Sequence, residues 1–299
     1  MSIRLLAIDL DGTLLDPSGR VPPACASAIA RAREAGLRVV ICTGRGLVEC
    51  RFALEAIDQR DPVVVAGGSI IADPSTGRTI HRFPMAPDLV GHAVTGLLRH
   101  RHPALVLKDP SSSDLDYLVV QGDQALPLDP VTIWWFERTR ARWRSARSLD
   151  EDMHPEHTVR VGACGLSGTL ATIRRDLEEA VAGRAHVHHF PAVAAPHHVK
   201  SLPDGQSLHI LELFDAGATK WSALSRLLED WGIMPTEVAA IGDEINDVSM
   251  IQGAGLGIAM GNAVQAVLDV ADVVTTRNDE HGVAHAIERV LSREWVTSA

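Results

Sequence analysis

Residues 5–16 read LLAIDLDGTLLD, an apolar run that leads directly into two acidic residues. The apolar run indicates a buried strand, with Asp9 and Asp11 at its end. Residues i and i+2 of a strand share a face, so the two carboxylates start out pointing the same way. Like charges this close repel each other, more strongly when buried, unless one is protonated or a cation accompanies them. The stretch therefore indicates a metal site, an unusual proton arrangement or a simple capping role.

Composition limits the classes of function that the chain can have. It has 299 residues, 46% of them hydrophobic, which is enough for one large domain or two ordinary ones with packed cores. Its formal net charge is −10 at pH 7. Nucleic acid and anionic membrane surfaces both require a basic face, so neither is expected as the main partner.

Cysteine usage and the absence of targeting signals point to a soluble protein of the cytoplasm. The cysteines are scattered without CxxC spacing, which indicates reduced thiols; they are Cys25, Cys42, Cys50 and Cys164. The N-terminus carries no pattern of a signal peptide. No apolar run reaches the roughly 18 residues that a membrane span needs. No feature of the sequence predicts an oligomeric state.

The first and last thirds of the chain alternate between apolar strands and helices. In the first third we predict strands at about 3–9 and 37–43, and helices at about 23–35 and 46–57. Residues 62–73 are predicted to form a strand, a break at Gly67 and Gly68, and another short strand. In the last third we predict a helix from residue 220, a strand at 238–243, two short strands and a final helix at 282–291. Continuous apolar strands alternating with helices indicate βαβ units and a parallel sheet.

The middle of the chain, residues 85–212, has a different character and indicates an inserted second domain. It contains the aromatic and arginine-rich segment TIWWFERTRARWR at 132–144, for which we favour core packing over nucleic-acid binding. It also contains a histidine-rich stretch, for which we favour a solvated face or a face that lines this inserted domain over a zinc site, because no cysteine or HExxH pattern accompanies it. These histidines are His186, His188, His189, His197 and His198.

Polar side chains follow several of the predicted strands. Asp9 and Asp11 follow the first strand, Thr43 the second, and Asp243 ends VAAIGD. Ligands of open parallel sheets bind beyond the carboxyl ends of the strands, so these groups are expected to converge. Carboxylates with water and phosphate oxygens suit Mg²⁺. Such a set could bind phosphate, with one aspartate attacking phosphorus and the other handling the leaving-group proton.

A lysine at the start of a predicted helix completes this set. The chain contains only three lysines, Lys108, Lys200 and Lys220, and uses arginine nearly everywhere else. The helix dipole repels a cation at the position of Lys220, so stability alone does not favour a lysine there. An ammonium beside a helix N-terminus makes a natural anion site.

Four motifs in order give the chain a family resemblance. They are DLDGTLL at 9–15, ICTGR at 41–45, the helix-start Lys220, and IGDEINDVSMI at 241–251. Together they resemble the haloacid dehalogenase-like (HAD) superfamily, and residues 254–287 resemble its Cof-type (type IIB), sugar-phosphatase-like branch. The match covers residues 3–84 and about 214–291. It implies an α/β fold, with a Rossmann-like parallel-sheet catalytic core formed by 1–84 and 213–299. An α+β cap at 85–212 would be inserted into this core and would set substrate specificity.

The resemblance also implies roles for the two aspartates of the first motif and for the lysine. Asp9 would be the nucleophile and form an aspartyl-phosphate. Asp11 would act as general acid and then as general base, with its backbone carbonyl on Mg²⁺. Lys220 would neutralise the phosphate oxygens and orient Asp9.

The remaining motif residues would hold the phosphate and the metal ion. Thr43, the backbone amide of Gly44, and Asn246 would contact the phosphate. Asp243 would ligate Mg²⁺ together with Asp9 and Asp11, and Asp247 would support the outer shell of the metal.

Two positions depart from the pattern of the family. Gly67 and Gly68 occupy a place where relatives usually carry Asn-Gly. Trp221 follows the lysine where a glycine is more typical. Neither change removes a chemical group, but both are expected at the rim of the pocket, where they would affect the choice of substrate.

The sequence therefore predicts a Mg²⁺-dependent phosphatase that hydrolyses a phosphate monoester of a small metabolite, in the first place a sugar phosphate. A phosphomutase or phosphotransferase with the same aspartyl-phosphate remains an alternative, as does a non-catalytic sensor of phosphorylated metabolites. The segment GLGIAMG has the wrong spacing for a dinucleotide fingerprint, and the chain contains no GxxxxGK[ST] motif. These two observations exclude a Rossmann oxidoreductase and a P-loop nucleotide hydrolase.

Overall fold

The computed structural model describes residues 2–111, 113–192 and 206–295. The chain folds into two compact units. The first unit comprises Met1–His81 and Ala218–Ala299, and the second comprises Arg82–Gly217. The second unit is thus inserted in sequence between the two segments of the first.

Strands and helices are numbered here in chain order over the described residues. The strands are β1 Leu5–Ile8, β2 Arg38–Ile41, β3 Val63–Val65, β4 Ile70–Ala72, β5 Thr79–Arg82, β6 Ala104–Lys108, β7 Tyr117–Val120, β8 Trp143–Ala146, β9 Thr158–Leu166, β10 Ala185–Pro191, β11 Leu208–Asp215, β12 Val238–Gly242, β13 Leu256–Ala259 and β14 Val273–Val274. The helices are α1 Pro23–Glu34, α2 Leu47–Ala56, α3 Pro87–Arg99, α4 Pro130–Thr139, α5 Ser167–Val181, α6 Lys220–Trp231, α7 Val248–Gly253, α8 Gln265–Leu268 and α9 Gly282–Leu291.

The core of the first unit is a five-stranded sheet in the order β14-β13-β12-β1-β2. All of its neighbouring strands run parallel, and β1 pairs with β12 on one side and β2 on the other. Every residue of β1 is fully buried, as expected for a central parallel strand covered on both faces. The predicted parallel α/β core is confirmed, and it places the ends of β1 and β12 side by side.

The chain leaves β1 through an irregular helical turn at Leu10–Leu14. Gly12 within this turn has a φ of +78°, a left-handed conformation that side chains rarely adopt. A Cβ atom at Gly12 would lie 2.1 Å from Oδ2 of Asp243. Only glycine therefore lets this turn pass so close to the loop that follows β12.

A small three-stranded sheet in the order β3-β4-β5 follows α2, and its strands β3 and β4 pair antiparallel. A parallel bridge between Cys42 and Val64 connects the end of β2 to β3. Between β3 and β4, Gly68 has a φ of +109°, and a Cβ atom there would lie 2.2 Å from the backbone of Thr219. This close approach explains why residue 68 is a glycine, since it lies against Thr219, the residue immediately before α6.

The second unit is built on a six-stranded sheet in the order β10-β11-β9-β6-β7-β8. Its strands pair antiparallel, except for the parallel pair of β7 and β8. One face of the sheet packs its buried aliphatic side chains against the apolar faces of α3 and α5. This mixed helix and sheet composition is that of an α+β domain.

The aromatic and arginine-rich segment at 132–144 forms most of α4 and the start of β8. Phe136 is buried and contacts the ring of Tyr117, with ring centroids 4.8 Å apart. Trp143, in contrast, is 42% exposed, and Arg142 forms an ion pair with Asp116. Packing within the unit therefore accounts for Phe136 and Arg142.

Two further expectations concern the histidine-rich stretch and the cysteines. His186, His188 and His189 lie on β10, while His197 and His198 lie outside the described residues. All four cysteines are buried and free. Among the helices of the described residues, none is long and apolar enough to cross a membrane.

Candidate active site

A fully buried lysine joins two aspartates from different parts of the first unit. Nζ of Lys220, at the start of α6, donates to Oδ1 of Asp9 and to Oδ1 of Asp247, both at 2.5 Å. Asp9 directly follows β1, and Asp247 directly precedes α7. The side chains of Lys220 and Asp247 have no exposed surface, and that of Asp9 is 6% exposed. The ammonium therefore interacts with carboxylates rather than with water.

The second oxygen of Asp247 holds the loop that follows β12. Oδ2 of Asp247 accepts hydrogen bonds from the backbone N–H groups of Asp243, at 3.0 Å, and Glu244, at 3.1 Å. A Cβ atom at Gly242 would lie 2.5 Å from Cγ of Asp247, so the packing here requires a glycine. Asp247 thus links the position of Lys220 to the position of Asp243.

Asp243 is oriented by two side chains that sequence reasoning did not select. Its Oδ1 accepts a 2.7 Å hydrogen bond from the hydroxyl of Thr13, and its Oδ2 accepts a 3.3 Å hydrogen bond from Nδ2 of Asn262. Nδ2 of Asn262 also donates to the carbonyl oxygen of Gly12 at 2.8 Å. These contacts fix the Asp243 carboxylate against the turn that carries Asp11.

The carboxylate of Asp11 forms a two-point ion pair with Arg45. Nε of Arg45 lies 2.7 Å from Oδ2 of Asp11, and Nη2 lies 2.6 Å from Oδ1. Arg45 is 11% exposed, whereas Asp11 is 43% exposed. Two parallel hydrogen bonds fix the orientation of a carboxylate as well as its position. Asp11 therefore pairs with a different cation from the one that holds Asp9, although the two aspartates lie only two residues apart.

The residues expected to contact phosphate lie around the same cluster. Oδ1 of Asn246 accepts a 3.4 Å hydrogen bond from Nζ of Lys220. A Cβ atom at Gly44 would lie 3.7 Å from Nδ2 of Asn246, so these two residues are neighbours. Thr43 is fully buried, and its hydroxyl accepts from the backbone N–H of Arg45 at 3.1 Å.

Burial and mutual repulsion raise the pKa values of Asp9 and Asp243. Burial, and then the charge of Asp247, hold the pKa of Asp9 well above its usual range, although Lys220 acts in the opposite direction. Burial raises the pKa of Asp243 to about 7, against the hydrogen bond from Thr13 that lowers it. Burial lowers the pKa of Lys220, but the charges of Asp247 and Asp9 outweigh this effect and raise it overall. Lys220 is therefore a cation.

The charge balance and the donor atoms both fit a divalent cation. Asp9, Asp243 and Asp247 each offer an oxygen, and these oxygens lie within 4.8 Å of one another. Three carboxylates face one ammonium, so their full ionisation requires a further positive charge in this buried place. Carboxylate oxygens are the donors that Mg²⁺ prefers. The residues present therefore fit a hard cation beside Asp9 and Asp243.

Two segments of the chain match a known protein family. A family model described as haloacid dehalogenase-like hydrolase matches residues 6–121 and 197–287. The chain belongs to this family. The resemblance that rests on DLDGTLL, ICTGR, Lys220 and IGDEINDVSMI is thereby confirmed.

Curated relatives of this haloacid dehalogenase-like hydrolase are named phosphatases. The chain is 28% identical to the 5-amino-6-(5-phospho-D-ribitylamino)uracil phosphatase YwtE of Bacillus subtilis, over 98% of the chain and 100% of that protein. It is also 28% identical to the pyridoxal phosphate phosphatase YbhA of Escherichia coli, over 96% of the chain and 98% of that protein. With the family match, these relatives identify the chain as a phosphoric monoester hydrolase.

A solved structure supports the same fold. A haloacid dehalogenase-like hydrolase from Bacteroides thetaiotaomicron superposes with a TM-score of 0.76 at 26% sequence identity. The superposition covers 97% of this chain and 100% of the other. The predicted α/β fold of the family is confirmed over nearly the full length of the chain.

The departure at Trp221 has a local packing reason, whereas the departure at 67–68 concerns Gly67, since Gly68 matches the glycine of the family pattern. Gly67 has a φ of +71°, a left-handed conformation that glycine and asparagine both adopt. The ring of Trp221 packs on α7, where a Cβ atom at Gly253 would lie 2.2 Å from it. The large side chain after Lys220 therefore contacts a helix of the same unit.

Proposed function

We propose that this haloacid dehalogenase-like hydrolase is a Mg²⁺-dependent phosphatase that acts on a small phosphorylated metabolite through an aspartyl-phosphate on Asp9. The observation that carries the proposal is the contact of Lys220 with both Asp9 and Asp247, beside the carboxylate of Asp243. Burying this much acidic charge is costly for a fold, and a bound metal ion offsets that cost.

Asp9 is assigned the role of the nucleophile. An oxygen of Asp9 attacks phosphorus, a new O–P bond forms, and the P–O bond to the leaving alcohol breaks. Lys220 holds Oδ1 of Asp9 at 2.5 Å, which fixes the carboxylate before the attack. Fixing the reacting group in advance removes much of the entropic barrier to reaction. In the second half of the reaction, water attacks phosphorus and releases Asp9 and inorganic phosphate.

Asp11 is assigned the proton transfers. It gives a proton to the leaving oxygen in the first half-reaction and takes one from the attacking water in the second. Its side chain is 43% exposed, so it can reach a substrate oxygen, and Arg45 limits the directions in which it points. In this assignment Arg45 is a positioning residue.

The remaining residues of the site hold the phosphate and the metal ion. Asp9 and Asp243 would hold Mg²⁺ together with the backbone carbonyl of Asp11. Asp247 would support the outer shell of the metal. When bound, Mg²⁺ neutralises charge on the phosphoryl group and allows the carboxylates to be ionised together. Thr43, the Gly44 amide and Asn246 are assigned to the phosphate oxygens.

The substrate class follows from the relatives and from the charge of the chain. YwtE and YbhA are named for a phosphorylated ribityl compound and for pyridoxal phosphate, both small metabolites. The net charge of −10 disfavours a nucleic-acid substrate. We therefore propose a small phosphate monoester, with sugar and sugar-alcohol phosphates as the first class to test. Residues 85–212 are proposed to form the cap that selects among them.

The test is phosphate release from p-nitrophenyl phosphate and from a panel of sugar phosphates, nucleotides and vitamin phosphates. Each reaction is run with Mg²⁺, with EDTA, and with the Asp9→Asn variant. We expect turnover that requires Mg²⁺ and is abolished by Asp9→Asn. Asp58→Asn, which changes an exposed aspartate of the same unit, is the matched control and keeps full activity.

Two outcomes would contradict the proposal. Turnover that is undiminished in EDTA after metal removal would contradict the role of Mg²⁺. If the folded protein binds Mg²⁺ but releases phosphate from none of the compounds, this would contradict the proposal that it is a phosphatase of small metabolites. Phosphate transfer to an added sugar in place of water would favour the phosphotransferase alternative.

A further inference from the structure

A second group of metal-ligating side chains lies in the second unit, on the segment between β8 and β9. His154, Glu156 and His157 each offer one ligand atom, and these atoms lie within 4.8 Å of one another. None of the three residues belongs to the motifs of the family or to the carboxylate cluster of the first unit. Their function is therefore not explained by the phosphatase chemistry.

Local backbone geometry brings the two histidine rings together. Pro155–His157 form a single tight helical turn that His154 precedes, with Pro155 at its first position. Side chains three residues apart eclipse each other in such a turn, so His154 and His157 project on the same side. Their rings are stacked, with centroids 5.3 Å apart and planes inclined by 11°. The two imidazoles therefore act as a pair.

One oxygen of the Glu156 carboxylate lies near a ring nitrogen of each histidine. Its Oε1 is 3.3 Å from Nε2 of His157 and 3.8 Å from Nδ1 of His154. Zinc bonds to nitrogen and oxygen are about 2.0–2.1 Å long, so two ligands of a tetrahedral site lie about 3.4 Å apart. The first separation already matches that value. The exposed His154 ring has to rotate out of its stack on His157 for its Nδ1 to face the same ion.

The segment that carries these ligands is anchored by a buried lysine. Nζ of Lys108 donates to Oδ2 of Asp152, to the carbonyl oxygen of His154 and to the hydroxyl of Thr158, at 2.7, 2.7 and 2.8 Å. The side chain of Lys108 is 2% exposed. Lys108, at the end of β6, thus holds both ends of the turn by hydrogen bonds. Its positive charge is paired with Asp152.

The orientation of the His157 ring turns its Nε2, and not its Nδ1, toward Glu156. Within the described residues, its Nδ1 is buried and has no hydrogen-bond partner. Buried polar atoms of proteins are nearly always paired, so this arrangement is unfavourable by itself. It is, however, the arrangement that turns Nε2 toward Glu156 at 3.3 Å. A bond at Nε2 would offset the cost of the unpaired Nδ1.

We propose that His154, Glu156 and His157 form a binding site for a divalent transition-metal ion of the Zn²⁺ class. Two imidazoles and one carboxylate form a donor set typical of zinc, whereas Mg²⁺ prefers oxygen donors alone. The side chains of His154 and Glu156 are 48% and 61% exposed, so solvent supplies the remaining ligand positions. The site is thus an open one, and its metal can exchange.

The test is the binding of Zn²⁺ to the full chain, measured by equilibrium dialysis in millimolar Mg²⁺. Excess Mg²⁺ keeps the carboxylate cluster of the first unit occupied. Wild-type protein is compared with the double variant His154→Ala and His157→Ala. The matched control is the double variant His186→Ala and His189→Ala, which removes two histidines of the same unit from β10.

We expect the first double variant to lose one equivalent of bound Zn²⁺, while the control retains it. Glu156→Gln alone should weaken the binding by about tenfold or more, because it removes the anionic ligand. Replacement of Zn²⁺ by Co²⁺ should give a visible absorption band in wild-type protein that the first double variant lacks. Normal circular dichroism and phosphatase turnover of this variant would show that it is folded.

Two results would overturn the proposal. One is an unchanged number and affinity of Zn²⁺ sites in the variant that lacks His154 and His157. The other is displacement of the bound Zn²⁺ by millimolar Mg²⁺, which would assign the Zn²⁺ to the carboxylate cluster. Both readouts are independent of the phosphatase assay, so failure of this proposal leaves the proposed phosphatase function unaffected.

Discussion

Nζ of Lys220 lies 2.5 Å from Oδ1 of Asp9, although the two residues are 211 positions apart in the sequence. The same nitrogen lies 2.5 Å from Oδ1 of Asp247. Because all three side chains are buried, removing the ammonium would leave both carboxylates without their cation. The contact ties the strand that carries the proposed nucleophile to the motif that carries the proposed metal ligand.

Replacing the buried ammonium is expected to destabilise the protein strongly. Lys220→Met leaves Asp9 and Asp247 buried without their cation, and breaking such a pair costs about 3–5 kcal/mol of the free energy of unfolding. The double variant Lys220→Met with Asp247→Asn should recover part of this loss. Urea denaturation in EDTA measures both. Strictly additive effects of the two substitutions would mean that the charges do not interact as the geometry indicates.

Removing the charge of Asp243 is expected to stabilise the metal-free protein and to abolish its stabilisation by Mg²⁺. The pKa of Asp243 is raised to about 7, so its ionised form is unfavourable in the folded protein. Asp243→Asn should therefore raise the melting temperature in EDTA and abolish the further rise that Mg²⁺ gives wild-type protein. Differential scanning fluorimetry with and without Mg²⁺ measures both shifts, with Asp58→Asn as the control. An intact Mg²⁺ shift in Asp243→Asn would argue against Asp243 as a ligand.

The two-point contact of Arg45 is expected to support catalysis by orienting Asp11. Arg45→Lys keeps the positive charge but cannot form both hydrogen bonds at once. We expect kcat to fall about ten- to a hundredfold with little change in KM, since misplacing a reacting group by about 1 Å has an effect of this size. Arg51→Lys, at an exposed position on α2, should leave both constants unchanged. A loss seen only in KM would assign Arg45 to substrate binding.

Two glycines with the same backbone conformation should respond differently to alanine. Gly12 and Gly19 have φ values of +78° and +75°, so alanine at either position costs about 1–2 kcal/mol in backbone strain. A Cβ atom at Gly12 would also collide with Asp243, whereas nothing lies within 4 Å at Gly19. Gly12→Ala should therefore abolish phosphatase activity, and Gly19→Ala should only lower the melting temperature. Equal activities of the two folded variants would contradict the close contact of Gly12 with Asp243.

Much of the first unit could be predicted from the sequence, because its signals are local. The apolar run before Asp9 and the proline-led pattern of Pro23–Glu34 each specify one element without reference to the rest of the chain. The ends of parallel strands meet at one edge of a sheet, so the meeting of Asp9 with Asp243 followed from the strand pattern alone.

The partners of the site residues could not be predicted in the same way. Arg45 follows a recognised motif, but only the structure shows that its side chain pairs with Asp11. Thr13 and Asn262 reach Asp243 from positions 230 and 19 residues away in the sequence, and neither has an unusual residue type for its place. Side-chain hydrogen bonds of this kind depend on rotamers and on close packing, which carry no periodic signal in the sequence.

The structure of the second unit was the hardest to predict from the sequence. Its antiparallel strands connect residues over long sequence separations, as in the pairing of β6 with β9, and no motif marks them. The histidines that drew attention in the sequence lie on β10 or outside the described residues. The cluster of His154, Glu156 and His157 became apparent only from the stacking of its rings.

Chemical trapping of the covalent intermediate tests the central claim, that Asp9 is the nucleophile, most directly. Protein turning over p-nitrophenyl phosphate with Mg²⁺ is quenched in acid, reduced with borohydride and digested, and the peptide that contains residues 5–16 is analysed by mass spectrometry. Borohydride converts an acyl phosphate of aspartate into homoserine. We predict homoserine at position 9, dependent on substrate and absent from Asp9→Asn. Homoserine at another aspartate, or its complete absence from protein trapped during active turnover, would contradict the account.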